Sequence, residues 1–231
     1  MKPNGTPDNY RFKPFHYSSH YWIRQFISER RQTLRILDVG TAAGYLGSAL
    51  KEQGHFVVGV ERDRQLAGAA QRIYDEIYNV DVEAFEFPFK EAFDVILFAD
   101  ILEHTRDPMA ILRRALPALK KDGEVIVSVP NIAHLAIRLS VLCGRFNYAD
   151  RGILDSTHLR FFTRKTCLQL LLDSGFTVDA IVPTPVPLQL VFPATGTQWF
   201  TPFHLLHYWF VRRLQGLLAF QFVVRAKPRS E

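Results

Sequence analysis

Leu37-Asp38-Val39-Gly40-Thr41-Ala42-Ala43-Gly44, followed by Val58-Gly59-Val60-Glu61, is the stretch that decides the reading of this chain. An apolar run from Leu34 to Val39 ends in a turn of small residues, and Tyr45 to Gln53 has a helical pattern, so the order is strand, tight loop, helix. Gly40 and Gly44 permit positive φ and a close backbone approach, and the amides of such a loop face whatever lies beyond the strand end. A second apolar run, His55 to Val60, closes on Glu61, 23 residues after Asp38 (61 − 38). A carboxylate at that point is placed to grip both hydroxyls of a ribose. The stretch therefore predicts a nucleoside-binding crevice at two consecutive strand ends.

What the loop lacks narrows the nucleoside. A dinucleotide turn needs glycines in the pattern G-x-G-x-x-G so that a pyrophosphate can sit on the helix N-terminus. Here the third and sixth positions from Gly40 are Ala42 and Tyr45, and no G-x-x-x-x-G-K-[ST] cradle occurs anywhere. A nucleoside without a pyrophosphate fits better. The segment resembles motif I of the class I S-adenosylmethionine-dependent methyltransferases, roughly acid-x-G-x-G-x-G, with Ala42 standing where the family has its central glycine.

The resemblance runs from about Leu34 to Val182. Val80-Asp81-Val82-Glu83 is similar to the family's adenine-contacting motif, Phe93 to His104 to its fourth strand and active-site end, and Leu116 to Val129, with Lys121-Asp122-Gly123, to the turn into its fifth strand. The nearest subgroup contains the ubiquinone-biosynthesis O-methyltransferases and related small-molecule and sugar methyltransferases. This likeness implies S-adenosylmethionine as cofactor, Asp38, Gly40, Thr41 and Gly44 around its loop, Glu61 and Arg62 at the ribose, Asp81 and Val82 at adenine, and Asp100 facing the methionyl part. It also implies an α/β fold with a doubly wound, mostly parallel seven-stranded, Rossmann-like sheet that carries an antiparallel edge strand and a cap insertion.

The organisation of the chain agrees. Four alternations of strand-like and helix-like segments run from Leu34 to Val129, as parallel strands with helical crossovers require. One domain is expected over 1–231: an N-terminal helical segment at 1–33, a cofactor core at 34–182 with an insertion at 131–162, a cap at 183–216, and a last strand and tail at 217–231. Thr163 is expected to open a helix that Gly175 closes. Phe176 to Val182 and Leu218 to Ala226 read as the final strands. Pro183 to Val211 contains no Asp, Glu, Lys or Arg, but Pro183, Pro185, Pro187, Pro193 and Pro202 interrupt it, so no apolar helix of roughly 20 residues can span a bilayer. From Phe203 onward, Phe203, Leu206, Phe210 and Leu214 share one helical stripe, which suits an apolar lid, a membrane-surface contact or a dimer interface.

Composition excludes several classes. The net charge of +5 comes from basic residues scattered singly and in pairs, without a Lys/Arg tract, a zinc-ligand spacing or an RNA-binding aromatic motif, so no nucleic-acid partner is expected. Two cysteines, Cys143 and Cys167, form no metal-ligand or redox motif and suit a reducing compartment. Met1 to Arg11 has no signal-peptide pattern, which with the thiols predicts a cytoplasmic protein, peripheral at the membrane if 183–216 touches lipid.

For chemistry, methyl transfer to a hydroxyl needs alignment and a base near the strand ends, and histidine suits that work near neutral pH. Candidates are His104 after the fourth strand, His134 after the fifth, and His158 in Asp155-Ser156-Thr157-His158-Leu159-Arg160. Asp155 and His158, three residues apart, are spaced to hydrogen-bond and orient the imidazole, with Arg160 adjacent; capping the Thr163 helix is the competing role. His158, His104 and Asp155 are the catalytic set on this reading. Glu103 reads as structural or as a solvent-facing partner of a cation. No set has metal-ligand spacing, although Asp155, Glu103 and His104 could assemble in space, and no metal is expected. The acceptor is expected to be a small-molecule, sugar or lipid-linked alcohol. Two alternatives remain: a partner-activating protein like the methionine-biosynthesis protein MetW, which Ser128 to Phe162 also resembles, and a dehydrogenase, disfavoured by Ala42 and Tyr45.

Overall fold

A computed structural model of the chain describes residues 13, 15–188 and 198–229. Each apolar run bounded by a small-residue turn becomes a strand: β1 (Arg35–Val39), β2 (Phe56–Val60), β3 (Glu76–Tyr78), β4 (Phe93–Ala99), β5 (Leu119–Pro130), β6 (Phe176–Thr184) and β7 (Gln221–Pro228). They form one sheet in the order β3-β2-β1-β4-β5-β7-β6. Strands β1 to β5 pair in parallel, and β7 runs antiparallel to both β5 and β6. The final pair is thus antiparallel at one margin as expected, but the reversed strand, β7, is the inner member of the pair.

Helices are α1 (Ser19–Ser28), α2 (Tyr45–Glu52), α3 (Arg64–Ala70), α4 (Pro108–Ala115), α5 (Leu135–Leu142), α6 (Arg164–Asp173), α7 (Thr201–Arg213) and the single turn α8 (Gln215–Leu218). Because side chains alternate across a strand, the central strands feed two cores. Ile36, Val95, Leu97 and Ile126 pack with Ile23, Ile27, Leu46 and Leu50 of α1 and α2. Leu37, Val39, Ile96, Phe98, Val125 and Val127 pack with Ile111 and Leu112 of α4 and Leu171 of α6 on the other face. Cover on both faces explains why the strands read as continuous apolar runs. Fully burying one such side chain contributes about 1.5–3 kcal/mol.

Three expectations are modified. Between β3 and β4 there is no helix: residues 79–92 form an irregular loop in which Phe85, Phe87 and Phe89 pack edgewise on Tyr78, on one another and on Phe93. Aromatic residues at every second position, with Pro88 among them, cannot share one helical stripe. Lys121-Asp122-Gly123 is part of β5 rather than a turn before it, and the pairing with β4 shifts register there, from Phe93–Leu119 to Val95–Glu124. Thr163 does cap α6, in a reciprocal arrangement with Thr166: Thr163 Oγ1 accepts from the Thr166 amide at 3.2 Å and Thr166 Oγ1 accepts from the Thr163 amide at 2.9 Å.

The third modification concerns 183–216, of which 189–197 lie outside the described residues, as do residues 1–12 of the N-terminal segment. The stripe of Phe203, Leu206, Phe210 and Leu214 faces outward, as a membrane-surface contact or a dimer interface requires and an apolar lid does not, and α7 packs inward through Tyr208 and Val211. Among the described residues no helix is long and apolar enough to cross a membrane.

Candidate functional site

The chain leaves β1 toward β2 and β3 on one side and returns to place β4 on the other, so the sheet order reverses between β1 and β4. Ligands of open α/β sheets bind outside the carboxyl ends of the strands at such a reversal. The turn after β1 sits there. Gly40 and Gly44 have φ of 81° and 87°, and Ala42 is also left-handed at 47°. The Gly40 amide donates to the Val60 carbonyl at 2.8 Å, which bends the turn toward the end of β2. A side chain at Gly40 would lie 2.9 Å from Ile101, so the second residue beyond β4 closes against this turn.

Glu61 holds the turn in place. Its Oε2 accepts from the Ala42 amide and its Oε1 from the Asp63 amide, each at 2.9 Å, and burial raises its pKa above the ordinary value. Asn79, which sequence patterning did not single out, secures the same corner by donating to the carbonyls of Glu61 and Arg62 at 2.8 and 3.0 Å. Arg62 is itself exposed. Thr41 is buried over Gly59, whose missing Cβ would come within 2.6 Å of the Thr41 methyl, so this threonine builds the loop with its side chain turned onto β2.

Asp38 lies beneath the turn. It is buried, accepts from the Tyr74 hydroxyl at 2.6 Å, and burial pushes its pKa up to about 6 against the opposing effect of that hydrogen bond. The Tyr74 hydroxyl is in turn raised well above its usual range by burial and by Asp38. Tyr74 passes over Gly47 of α2, where a Cβ would meet the ring at 2.2 Å. Asp81 is exposed and caps its own turn, accepting from the Glu83 amide at 2.9 Å, while Val82 is buried.

At the end of β4, Asp100 has a left-handed backbone, φ 55°. Its Oδ1 accepts from Ser128 Oγ at 2.5 Å and Gln221 Nε2 at 3.0 Å, and its Oδ2 pairs with the Lys13 ammonium at 2.8 Å. Burial opposes its charge, but Lys13 and Ser128 hold it well below the usual carboxylate range. Lys13 belongs to a strap before α1 that also carries Tyr17, whose ring stacks on Tyr208 of α7 at 3.9 Å. His20, beside Lys13, is lowered to about 3 by burial and by the Lys13 charge. Lys13, Ser128, Gln221 and Tyr74 all escaped sequence reasoning; only Ser128, a lone hydroxyl within the apolar Val125 to Val129 run, left a signal there.

Beyond β4, the turn at Leu102–His104 brings His104 to His158, ring centroids 4.7 Å apart. The expected Asp155–His158 ring contact is replaced by another arrangement. His158 Nδ1 lies 3.1 Å from the Ile153 carbonyl, which can only accept, so Nδ1 carries a proton. Asp155 Oδ1 instead accepts from the Thr157 amide and hydroxyl at 2.8 and 2.7 Å, and that hydroxyl lies 3.1 Å from His104 Nδ1. The acid therefore orients His104 through Thr157, because the turn at 155–158 points its carboxylate back over its own backbone. Burial, then His158, lowers the His104 pKa. Arg160 is turned away, donating to the Arg106 carbonyl. His134 caps α5, its Nδ1 accepting from the Ala136 amide at 3.2 Å.

Glu103 is not solvent-facing. It is 1% exposed, neither carboxylate oxygen has a hydrogen-bond partner among the described residues, and burial followed by the Asp100 charge raises its pKa well above the ordinary value. One ligand atom each from Glu103, His104 and His158 lie within 4.8 Å of one another, a constellation that linear spacing did not expose.

Comparisons with known proteins bear on the family and the fold. A family model described as a methyltransferase domain matches residues 17–181. The ubiquinone biosynthesis O-methyltransferase of Histophilus somni is 30% identical over 153 residues, 61% of this chain and 62% of that protein, so the chain spans under two thirds of that relative's length. Its counterpart in Paramagnetospirillum magneticum is 27% identical over 75% of this chain and 71% of that protein. Among solved structures, an S-adenosylmethionine-dependent methyltransferase from Archaeoglobus fulgidus superposes with a TM-score of 0.62 at 16% identity, covering 90% of this chain and 92% of that one. The 1,6-didemethyltoxoflavin-N1-methyltransferase of Burkholderia thailandensis, solved with bound 1,6-didemethyltoxoflavin and S-adenosylhomocysteine, gives a TM-score of 0.60 at 18% identity, covering 93% and 80%. At these identities the two structures speak for the fold alone.

Proposed function

The chain belongs to the methyltransferase-domain family, and from that premise we propose that it is an S-adenosylmethionine-dependent O-methyltransferase acting on a hydroxylated small molecule, sugar or lipid-linked intermediate. The observation that carries this reading is the Glu61 carboxylate, bound to the amides of Ala42 and Asp63 at the β1–β4 reversal. Each of its oxygens keeps a further lone pair for a ribose hydroxyl. The turn offers a nucleoside this seat, and Ala42 and Tyr45 at the third and sixth positions from Gly40, with Tyr45 opening α2, depart from the glycine pattern a pyrophosphate needs. The O-methyltransferase names of the Histophilus and Paramagnetospirillum relatives support oxygen as the accepting atom.

The cofactor supplies a methyl group on a positively charged sulfur, which departs as a neutral thioether. The protein's share is to align acceptor and methyl and to take the acceptor proton. His158 Nε2 is the group we assign to the proton, its tautomer set by Ile153. Asp38 and Tyr74 brace the loop from below, and Asp81 and Val82 border the adenine end. Asp100, tied to Lys13, borders the methionyl end. The exposed free thiol of Cys143 suits a reducing compartment, and we place the enzyme in the cytoplasm.

A second reading of the histidine cluster is favoured by the orphaned Glu103 oxygens. A carboxylate and two imidazoles suit a divalent cation, and Glu103, His104 and His158 would then hold a Lewis acid at the acceptor oxygen, with His158 a ligand instead of a base. Chelation separates the two: the base reading expects turnover unchanged by EDTA, the cation reading expects it lost and restored by magnesium or manganese.

The deciding experiment for the main proposal is transfer of labelled methyl from S-adenosylmethionine to a panel of catechols, sugar nucleotides and hydroxylated lipids. Label in one acceptor class supports the proposal. Binding of S-adenosylhomocysteine with no label in any class, combined with activation of a second enzyme, would instead establish the partner-activating alternative.

A further inference from the structure

Helix α7 is anchored on one side and bare on the other. Tyr208 and Val211 are buried, with Tyr208 stacked on Tyr17, whereas Phe203, Leu206, Trp209 and Phe210 are each about half exposed. Helix α5 has no buried residue at all, and Leu142 is 82% exposed. Helix α5 lies against the chain that follows α7: Arg138 donates to the Gly216 carbonyl of α8 at 3.4 Å and the ring of His134 at the start of α5 lies 6.4 Å from that of Phe220, while burial and then the nearby His207 of α7 lower the His134 pKa. Beside α5, Ile132, Ile137, Val141 and Phe146 line an apolar groove with Arg138 at its edge.

Charge decides what covers this surface. Residues 131–149 and 199–220 contain Arg138, Arg145, Arg212 and Arg213 and not one Asp or Glu. The Arg213 guanidinium sits 5.4 Å from the Trp209 ring, so the cations border the apolar face itself. We propose that the outer faces of α5 and α7 dock on an anionic lipid bilayer. Apolar rings would enter the headgroup boundary and the arginines would meet lipid phosphates. A second copy of the chain fits less well, because a two-fold contact across this face would bring guanidiniums from both copies together without a carboxylate between them. This goes beyond the methyl-transfer proposal and does not depend on it.

The test is flotation of the full chain with vesicles of phosphatidylglycerol and phosphatidylcholine, and with phosphatidylcholine alone. The expected result is binding to the anionic vesicles, at least tenfold weaker to the neutral ones and weakened by salt. Phe203→Ser with Phe210→Ser, and separately Arg212→Glu with Arg213→Glu, should each reduce it tenfold or more. These positions are exposed, so melting temperature and S-adenosylhomocysteine affinity are expected to stay as in the parent, which separates failed docking from failure of the functional proposal. Brominated lipid should quench tryptophan fluorescence in the parent. Absence of vesicle binding, binding that both pairs leave intact, or a concentration-dependent dimer that the Phe203/Phe210 pair abolishes would each overturn the proposal, the last in favour of a second copy.

Discussion

Replacing Glu61 by glutamine challenges both tasks assigned to its carboxylate. Each oxygen receives a backbone amide at 2.9 Å, from Ala42 and from Asp63. A carboxamide offers one acceptor oxygen and an NH2 donor, so in either orientation one of those amides faces a donor. A hydrogen bond to a charged group contributes about 1.5–3 kcal/mol and a stranded buried donor costs about 1–3 kcal/mol. The overlap of these terms places the loss of stability at roughly 2–4 kcal/mol, or about 5–15 °C in melting temperature for a chain of this size. Ribose binding loses a further charge-assisted bond, again about 1.5–3 kcal/mol, which weakens S-adenosylhomocysteine about 10- to 150-fold. Calorimetric titration reads the second quantity and thermal melting of the free protein the first. Affinity equal to the parent's would refute the ribose contact whatever the melting curve does, and an unchanged melting temperature would refute the role in holding the turn. Glu61→Asp, which keeps the charge on a shorter arm, is expected to fall between the two.

Tyr74→Phe leaves Asp38 buried without the hydroxyl at 2.6 Å. Asp38 has a folded pKa of about 6 against an ordinary 3.8, so its protonation favours the native state, fully below the ordinary value, and that contribution is lost as pH rises through 6. The variant's melting deficit is therefore expected to be larger at pH 8 than at pH 5; an equal deficit at both contradicts the assignment. Gly47→Ala should destabilise by about 1–3 kcal/mol through overpacking, although alanine is the better helix former, because its Cβ would lie 2.2 Å from the Tyr74 ring. A rise in melting temperature would sink that idea. His158→Ala should cut turnover roughly 100-fold with cofactor affinity intact, whereas His104→Ala, whose ring is held by Thr157, should cost less. The reverse order would move the proton to His104. S-adenosylhomocysteine affinity should also fall on acidification, as Glu61, raised by burial, takes up a proton; affinity independent of pH would argue that the ligand does not use its charge.

The turn from Asp38 to Gly44 and its acid at Glu61 were legible because strand, turn and helix follow one another locally, and each leaves its period in the sequence. The braces of the same site were not. Tyr74 reaches Asp38 from 36 residues away, and Lys13 reaches Asp100 from 87. No periodicity encodes such pairs, since they depend on which elements the sheet makes neighbours. The same limit explains the Asp155 error: a spacing of three suggests a helical turn, but residues 155–158 form a tight turn in which Thr157 captures the carboxylate. Glu103 misled because acids are seldom fully buried, and its sequence position gives no hint of the 153–162 loop that covers it, from which Leu159 and Arg160 donate to its carbonyl.

The order β5-β7-β6 governs how the chain is assembled during synthesis. Among the described strands β6 pairs with β7, and the apolar edge of β5 from Val125 to Val129 is closed by β7. Helix α1 is tied to it as well, since Arg225 of β7 bonds to Glu29 at the end of α1. A nascent chain that has not yet delivered Gln221–Pro228 therefore carries an open, uncharged strand edge, a template for pairing with another chain. Proteolysis that removes β7 would leave the β5 edge open and aggregation-prone, so closure of this side of the sheet rests on Gln221–Pro228.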